Sequence, residues 1–238
     1  MTMLNNLNYN NTSWSDKEEL FPGIWVYRNV INSELNFVDR MKSVIDNNPD
    51  PRFQWKDACV GYMQKMPEYR DCQDFKLNIN HTPSLPVEYS LNEIWKDVYE
   101  AQKKAVDDYC SKYNIQMQFW EAMNFIKYGP GQHFQEHADH GYSYYCTVSL
   151  VAYPNDDYEG GGLYFPKLGL HIQPKAGDLY IFPSTFLFSH IALPVTSGTK
   201  YSLVTMLDYN DNAHNPEFYQ MGEKRTAKQQ GPTIPQGM

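Results

Sequence analysis

Three of the seven histidines fall in one short stretch, His133-Phe134-Gln135-Glu136-His137-Ala138-Asp139-His140. In an extended chain His137 and Asp139 point to the same face, so an imidazole and a carboxylate can converge on one metal ion. His140 faces the other way. His133 shares their parity but sits about 13 Å back along a strand, out of reach without a bend. His133 is followed by Phe134, so the zinc-protease HExxH pattern is absent. A third ligand has to come from a distant strand, and His190, in Phe188-Ser189-His190-Ile191-Ala192, is the natural choice. Two imidazoles and one carboxylate on one face leave open coordination positions, as in non-haem Fe(II) oxygenases. The same side chains also read as polar residues satisfied inside a β core, and this pattern alone does not separate the two.

A cation adds to the pattern. Between Glu121 and Glu223 there is no arginine, and the lysines are Lys127, Lys167, Lys175 and Lys200. Lys200 follows His190 by ten residues, after a turn at Thr196-Ser197-Gly198, on what reads as a neighbouring antiparallel strand. Beside Tyr201 and the apolar Leu203-Val204, an unpaired lysine is costly unless an anion joins it. A dicarboxylate co-substrate at the iron needs such a cation. The alternative is an ordinary edge-strand lysine.

The elements that must position these residues follow from periodicity. Apolar residues 21–27 read as a strand. Leu35, Val38, Met41 and Ile45 recur with helical spacing, ended by Asn47-Asn48-Pro49-Asp50-Pro51. Ser90-Leu91-Asn92-Glu93 has capping-box form and opens a helix whose buried face runs from Leu91 through Ile94, Val98, Ala101 and Ala105 to Tyr109. From residue 118 the period changes to short strands, at 119–128, 144–153, 163–166, 170–173, 178–182 and 200–209, punctuated by Gly, Pro, Asn and Asp. Helices first and strands afterwards give an α+β chain whose second part is a sandwich or barrel. Residues 50–87 read as either a short strand pair or an irregular loop. Residues 1–20 read as a flexible arm, 21–210 as a single domain, and 211–238 as a polar tail.

Composition narrows the function classes. The chain has 238 residues, 28 of them acidic and 20 basic, for a net charge of −8. Both halves are acidic, which argues against a nucleic-acid partner. No apolar run approaches a membrane span, and no leader pattern is visible at the N-terminus. Four cysteines without a CxxC pair speak against structural zinc and suit a reducing cytoplasm.

The order of several blocks is more specific than any one of them. Tyr128-Gly129-Pro130-Gly131-Gln132-His133-Phe134-Gln135-Glu136-His137-Ala138-Asp139 resembles the Y-x-x-G-x-x-F-x-x-H-x-D segment of 2-oxoglutarate- and Fe(II)-dependent dioxygenases, in their prolyl 4-hydroxylase-like branch. Residues 155–162 resemble the family's LN…GG turn. Gln173 through Ser184 is similar to its P-x-x-G-x-x-x-x-F block. His190, Pro194-Val195, Gly198 and Lys200 match H…PV…G-x-[KR]. The resemblance covers about residues 119–209.

It implies a double-stranded β-helix (jelly-roll) core supported by N-terminal helices. It further implies Fe(II) held by His137, Asp139 and His190, and 2-oxoglutarate bound at its distal carboxylate by Lys200, with Tyr128 and Tyr153 beside it. O2 is the co-substrate, and ascorbate comes with the resemblance as an accessory reductant. The expected reaction is hydroxylation of an unactivated C–H, with succinate and CO2 released, on a prolyl residue of a peptide or protein. Alternatives are the same chemistry on a free amino acid, another small molecule or a nucleobase, and a jelly-roll binding module without catalysis. Pro154, Gly162, Thr205 and Met206 depart from the family pattern, which weakens inference about the substrate. The link from Asp139 to the next strand reads as about four residues. A rim that compact would leave residues 50–87, with Trp55, Tyr62, Tyr69 and several prolines, to cover the site, unless they only pack over one sheet face.

Overall fold

A computed structural model describes residues 14–46, 48–60, 64–141, 144–210 and 214. The expected C-terminal tail lies outside the described residues apart from His214, as does the N-terminal arm before Trp14. Residues 17–20, expected in that arm, instead belong to β1 (Lys17–Phe21), which turns at Pro22-Gly23 into β2 (Ile24–Tyr27). Pairing with the fully buried β2 organises this polar segment, a gain that local composition does not reveal.

Two helices follow in the first half. α1 (Phe37–Ile45) buries Phe37, Met41, Val44 and Ile45. α2 (Pro86–Tyr113) starts four residues before the Ser90 capping box expected from sequence. Its N-terminus is made by Pro86 at the first helical position and by Glu88, whose carboxylate accepts from the Ser84 and Leu85 N–H groups at 2.7 and 3.0 Å. Between the helices lie β3 (Lys56–Asp57), β4 (Arg70–Asp71) and β5 (Gln73–Leu77). Residues 50–87 thus contain the strand-pair alternative, as β3 pairs with β5.

The rest of the chain is strands: β6 (Phe119–Trp120), β7 (Met123–Tyr128), β8 (His133–His137), β9 (Val148–Ala152), β10 (Glu159–Gly160) and β11 (Leu163–Phe165). They continue as β12 (Leu170–Ile172), β13 (Leu179–Pro183), β14 (His190–Ala192), β15 (Val195–Ser197) and β16 (Lys200–Asp208). The large sheet runs β1-β2-β13-β9-β16-β7-β5-β3, with β6 on the end of β16; the smaller one runs β12-β11-β14-β8-β4.

Strand alternation divides the core in two. Trp25, Tyr27, Leu150, Ala152, Leu179, Ile181, Leu203 and Leu207 leave one face of the large sheet and pack under α1 and α2. Their alternates Ile24, Val26, Val151, Tyr153, Tyr180 and Phe182 leave the other face and meet Leu163, Phe165 and Ile172 of the smaller sheet. Burial on both faces explains why β2, β9 and most of β13 contain only buried residues. The result is a two-sheet jelly roll with helices on its back, and the space between the sheets is where functional side chains can gather.

Candidate metal centre and anion pocket

His137 and His190 end adjacent strands of the smaller sheet and are register partners across the β8–β14 pair. Asp139 lies two residues past β8, where the chain has left the ladder. The expectation that 137 and 139 share an extended face therefore gives way to a bend, yet the groups still converge. Nε2 of His137 is 3.6 Å from Asp139 Oδ1, Nε2 of His190 is 3.9 Å from Oδ2, and the three ligand atoms lie within 4.8 Å of one another.

The tautomers suit a cation. Nδ1 of His137 sits 2.8 Å from the Gln135 carbonyl, and Nδ1 of His190 sits 3.1 Å from the Phe188 carbonyl. A carbonyl only accepts, so each Nδ1 carries the proton and each Nε2 turns its lone pair inward. Burial, reinforced by the neighbouring His190, pushes His137 down to about 3, so it is neutral at ordinary pH. Phe134 stacks on His137 with ring centroids 3.5 Å apart, and Phe182 meets His190 edge-on at 5.1 Å. Two imidazoles and a carboxylate, oriented before any ion arrives, are a donor set that fits Fe(II).

The other two histidines of the cluster stay apart from it. His133 lies against the Gly131 and Glu68 carbonyls, and His140 against the Cys146 backbone.

Lys200 starts β16, opposite Tyr128 on β7, and is 1% exposed. It does not neighbour the His190 strand as expected: β14 belongs to the smaller sheet and β16 to the large one, with β15 crossing between them. The two residues belong to opposite sheets because the chain changes sheets after Pro194. Lys200 Nζ donates to the Gly161 carbonyl at 2.6 Å and lies 5.0 and 5.3 Å from the Tyr128 and Tyr153 rings. Among the described residues no carboxylate pairs with it. Burial lowers it to about 7, and the same burial raises both tyrosines well above an ordinary phenol. Gly161, at φ +63°, makes the approach possible, since a Cβ there would stand 3.0 Å from Lys200 Cδ. Tyr153, Tyr180, Phe182 and Phe165 form one wall of rings that reaches from Lys200 to His190.

Sequence reasoning offered Tyr69 only as part of a cover over the site and missed the support that it and Arg70 give to β8. Tyr69, in the segment that resisted assignment, donates to the Glu136 carbonyl at 2.7 Å and packs edge-on against Phe134. Arg70 of β4 lies over the other side of that ring at 4.9 Å. This part of residues 50–87 braces β8, whereas Trp55 packs outward on Phe125 and Tyr201. Tyr62 lies outside the described residues. The link from Asp139 to β9 is eight residues, not about four, because Tyr144 through Thr147 do not join the ladder.

The fold and this donor set define a class, the metal-binding double-stranded β-helix. Residues 123–207 match the family described as the 2OG-Fe(II) oxygenase superfamily. That description names Fe(II) and 2-oxoglutarate, ligands that suit the two ends of this wall of rings.

An inferred prolyl 4-hydroxylase of Acanthamoeba polyphaga mimivirus is 27% identical over 42% of this chain and 49% of its own length. A PKHD-type hydroxylase of Colwellia psychrerythraea is 39% identical over 32% of this chain and 31% of its own length. The chain thus spans about half or less of these curated relatives. In structure it resembles a Trichoplax adhaerens prolyl hydroxylase solved with a hypoxia-inducible-factor peptide fragment. That match has a TM-score of 0.64 at 14% identity and covers 79% of this chain and 84% of that one. A Pseudomonas putida prolyl-4-hydroxylase aligns with a TM-score of 0.59 at 18% identity, covering 78% and 92%. These likenesses speak for the fold. No described helix is long and apolar enough to cross a membrane.

Proposed function

We propose that the protein is an Fe(II)- and 2-oxoglutarate-dependent dioxygenase that hydroxylates a prolyl residue in a peptide or protein, releasing succinate and CO2. The observation that carries this reading is Lys200. A buried lysine with no acid partner among the described residues, at one end of a wall of rings whose other end is His190, suits an anion that also meets the metal. The catalytic unit is residues 21–210, extended back to Lys17 by β1.

In this reading His137, Asp139 and His190 hold Fe(II), and the bound metal with 2-oxoglutarate and O2 supplies the oxidising power. The chain's own contribution is binding and orientation. The two Nε2 lone pairs and the Asp139 carboxylate are aimed by hydrogen bonds from outside the cluster, so binding requires no rotamer search. Lys200 takes a proton as a carboxylate approaches, turning a buried liability into a charge-assisted hydrogen bond. Tyr128 and Tyr153 wall the anion and exclude water from it.

A peptide or protein substrate is supported by the names of the relatives and neighbours, which are prolyl hydroxylases in several cases. A cytoplasmic location is supported by four cysteines that form no disulfide. The test is to incubate the protein with Fe(II), 2-oxoglutarate, ascorbate and proline-containing peptides. We expect succinate and a product one oxygen atom heavier, in equal amounts. Succinate no higher than for His137→Ala would overturn the oxygenase reading. Oxidised free amino acids alongside unmodified peptides would overturn the prolyl one. Leaving out ascorbate shows whether it is needed.

A further inference from the structure

β9 reads Val148-Ser149-Leu150-Val151-Ala152 and is buried throughout, so its one hydroxyl has to find a partner inside the sandwich. Ser149 is 0% exposed and Ser184, just past β13, is 1% exposed. Ser149 Oγ lies 2.6 Å from Asp139 Oδ2 and 2.7 Å from Ser184 Oγ. The directions of these bonds follow from chemistry. An ionised carboxylate only accepts, so Ser149 gives its single proton to Asp139, and Ser184 then donates to Ser149. Ser184 is itself fixed by its backbone, its N–H on the Thr147 carbonyl and its carbonyl under the His140 N–H, each at 3.0 Å. Asp139 sits beyond the end of β8, with no strand ladder to set its side chain. The hydroxyl chain is the structure that holds it.

We propose that Ser184 and Ser149 position Asp139 for the metal. They occupy Oδ2 and leave Oδ1, on the His137 side, as the oxygen offered to the ion. The carboxylate then ligates through one atom, and the coordination position that a second oxygen would take stays open for the co-substrate. Neither serine touches the reacting groups; both act through Asp139. This inference rests on the metal-site reading above.

The experiment compares wild type with Ser149→Ala, Ser149→Thr and Ser184→Ala, and uses binding rather than turnover as its main readout. Mn(II) affinity is measured on the metal-free proteins, and the anaerobic Fe(II)–2-oxoglutarate absorption band on the loaded ones. Removing a partner of a metal ligand lowers affinity about 10- to 100-fold, so Ser149→Ala falls in that range while its far-UV circular dichroism matches wild type. Its KM for 2-oxoglutarate rises and its band weakens. Ser149→Thr keeps the hydroxyl and restores both, and Ser184→Ala, which removes only the outer member, loses less. Wild-type Mn(II) affinity and an unchanged band in Ser149→Ala overturn the proposal. So does equal damage in the Thr and Ala variants, which also covers an Ala variant that fails to fold. Should wild type bind no Mn(II), or bind it equally well as His137→Ala, the metal-site reading fails and this inference falls with it.

Discussion

The two ends of the wall of rings between the sheets show the same physics with opposite sign. At one end burial keeps His137 neutral and the Nε2 lone pairs of two imidazoles face inward, so the site favours a cation. At the other end burial lowers Lys200 to about 7, and no anion pairs with it among the described residues. Each end is unfavourable by itself and is relieved by a ligand of the charge it lacks. A molecule that carries metal-chelating groups at one end and a carboxylate at the other satisfies both.

The comparison breaks most visibly at the metal end. His137→Ala should weaken Mn(II) binding by more than about 100-fold, beyond the loss typical of a supporting residue, and abolish the Fe(II)–2-oxoglutarate band. A retained band would remove His137 from the ligand set.

Lys200→Met tests the anion end. Loss of a hydrogen bond to a charged group, about 1.5–3 kcal/mol, corresponds to a KM for 2-oxoglutarate raised about 10- to 150-fold. Mn(II) affinity should stay put. The ligand-free variant should melt no lower than wild type, because the substitution removes a buried amine with no counter-ion among the described residues. A large drop in Tm would mean that Lys200 serves the fold instead.

The pH dependence sharpens the same contrast. Lys200 is lowered from 10.5 in the unfolded chain to about 7 in the folded one. Between these values the unfolded state binds the extra proton, so the ligand-free protein gains stability as pH rises from about 7 to about 10. Co-substrate binding needs the proton back. Affinity for 2-oxoglutarate should therefore fall above pH 7, by up to about tenfold per pH unit, and Lys200→Arg should flatten the slope because a guanidinium stays charged. A flat wild-type profile would show that Lys200 is already protonated in the ligand-free protein.

The smallest expected effect is at the turn beside Lys200. Gly161→Ala puts a side chain in the left-handed region at a cost of about 1–2 kcal/mol and crowds the lysine stem. Tm should drop, and the KM for 2-oxoglutarate should rise several-fold while Mn(II) affinity holds.

How much of this was legible depended on where the determining contacts lie. The strands β2, β9 and β13 follow from continuous runs such as Ile24 through Tyr27, and the apolar stripe of α2 from the spacing of residues such as Leu91 and Val98, since a run or a period records how an element is covered. The start of α2 misled because Ser90-Leu91-Asn92-Glu93 imitates a cap inside the helix, while the true end uses Pro86 and a carboxylate reaching backward from Glu88. β5 carries little pattern of its own and is a strand because β7 pairs with it.

At the site, residue types and order singled out His137, Asp139, His190 and Lys200, because few side chains can hold a metal or an anion and basic residues are sparse in this half of the chain. Sequence order could not place Lys200 on the opposite sheet from His190, lengthen the link after Asp139, or join Ser149 and Ser184 to that carboxylate. Those relations depend on which sheet a strand enters and on contacts between residues 35 positions apart. Periodicity reports only whether a side chain is buried. Which partner it meets inside is settled when the two sheets close on each other, and there a lone serine in an apolar strand becomes the hydrogen bond that orients a ligand.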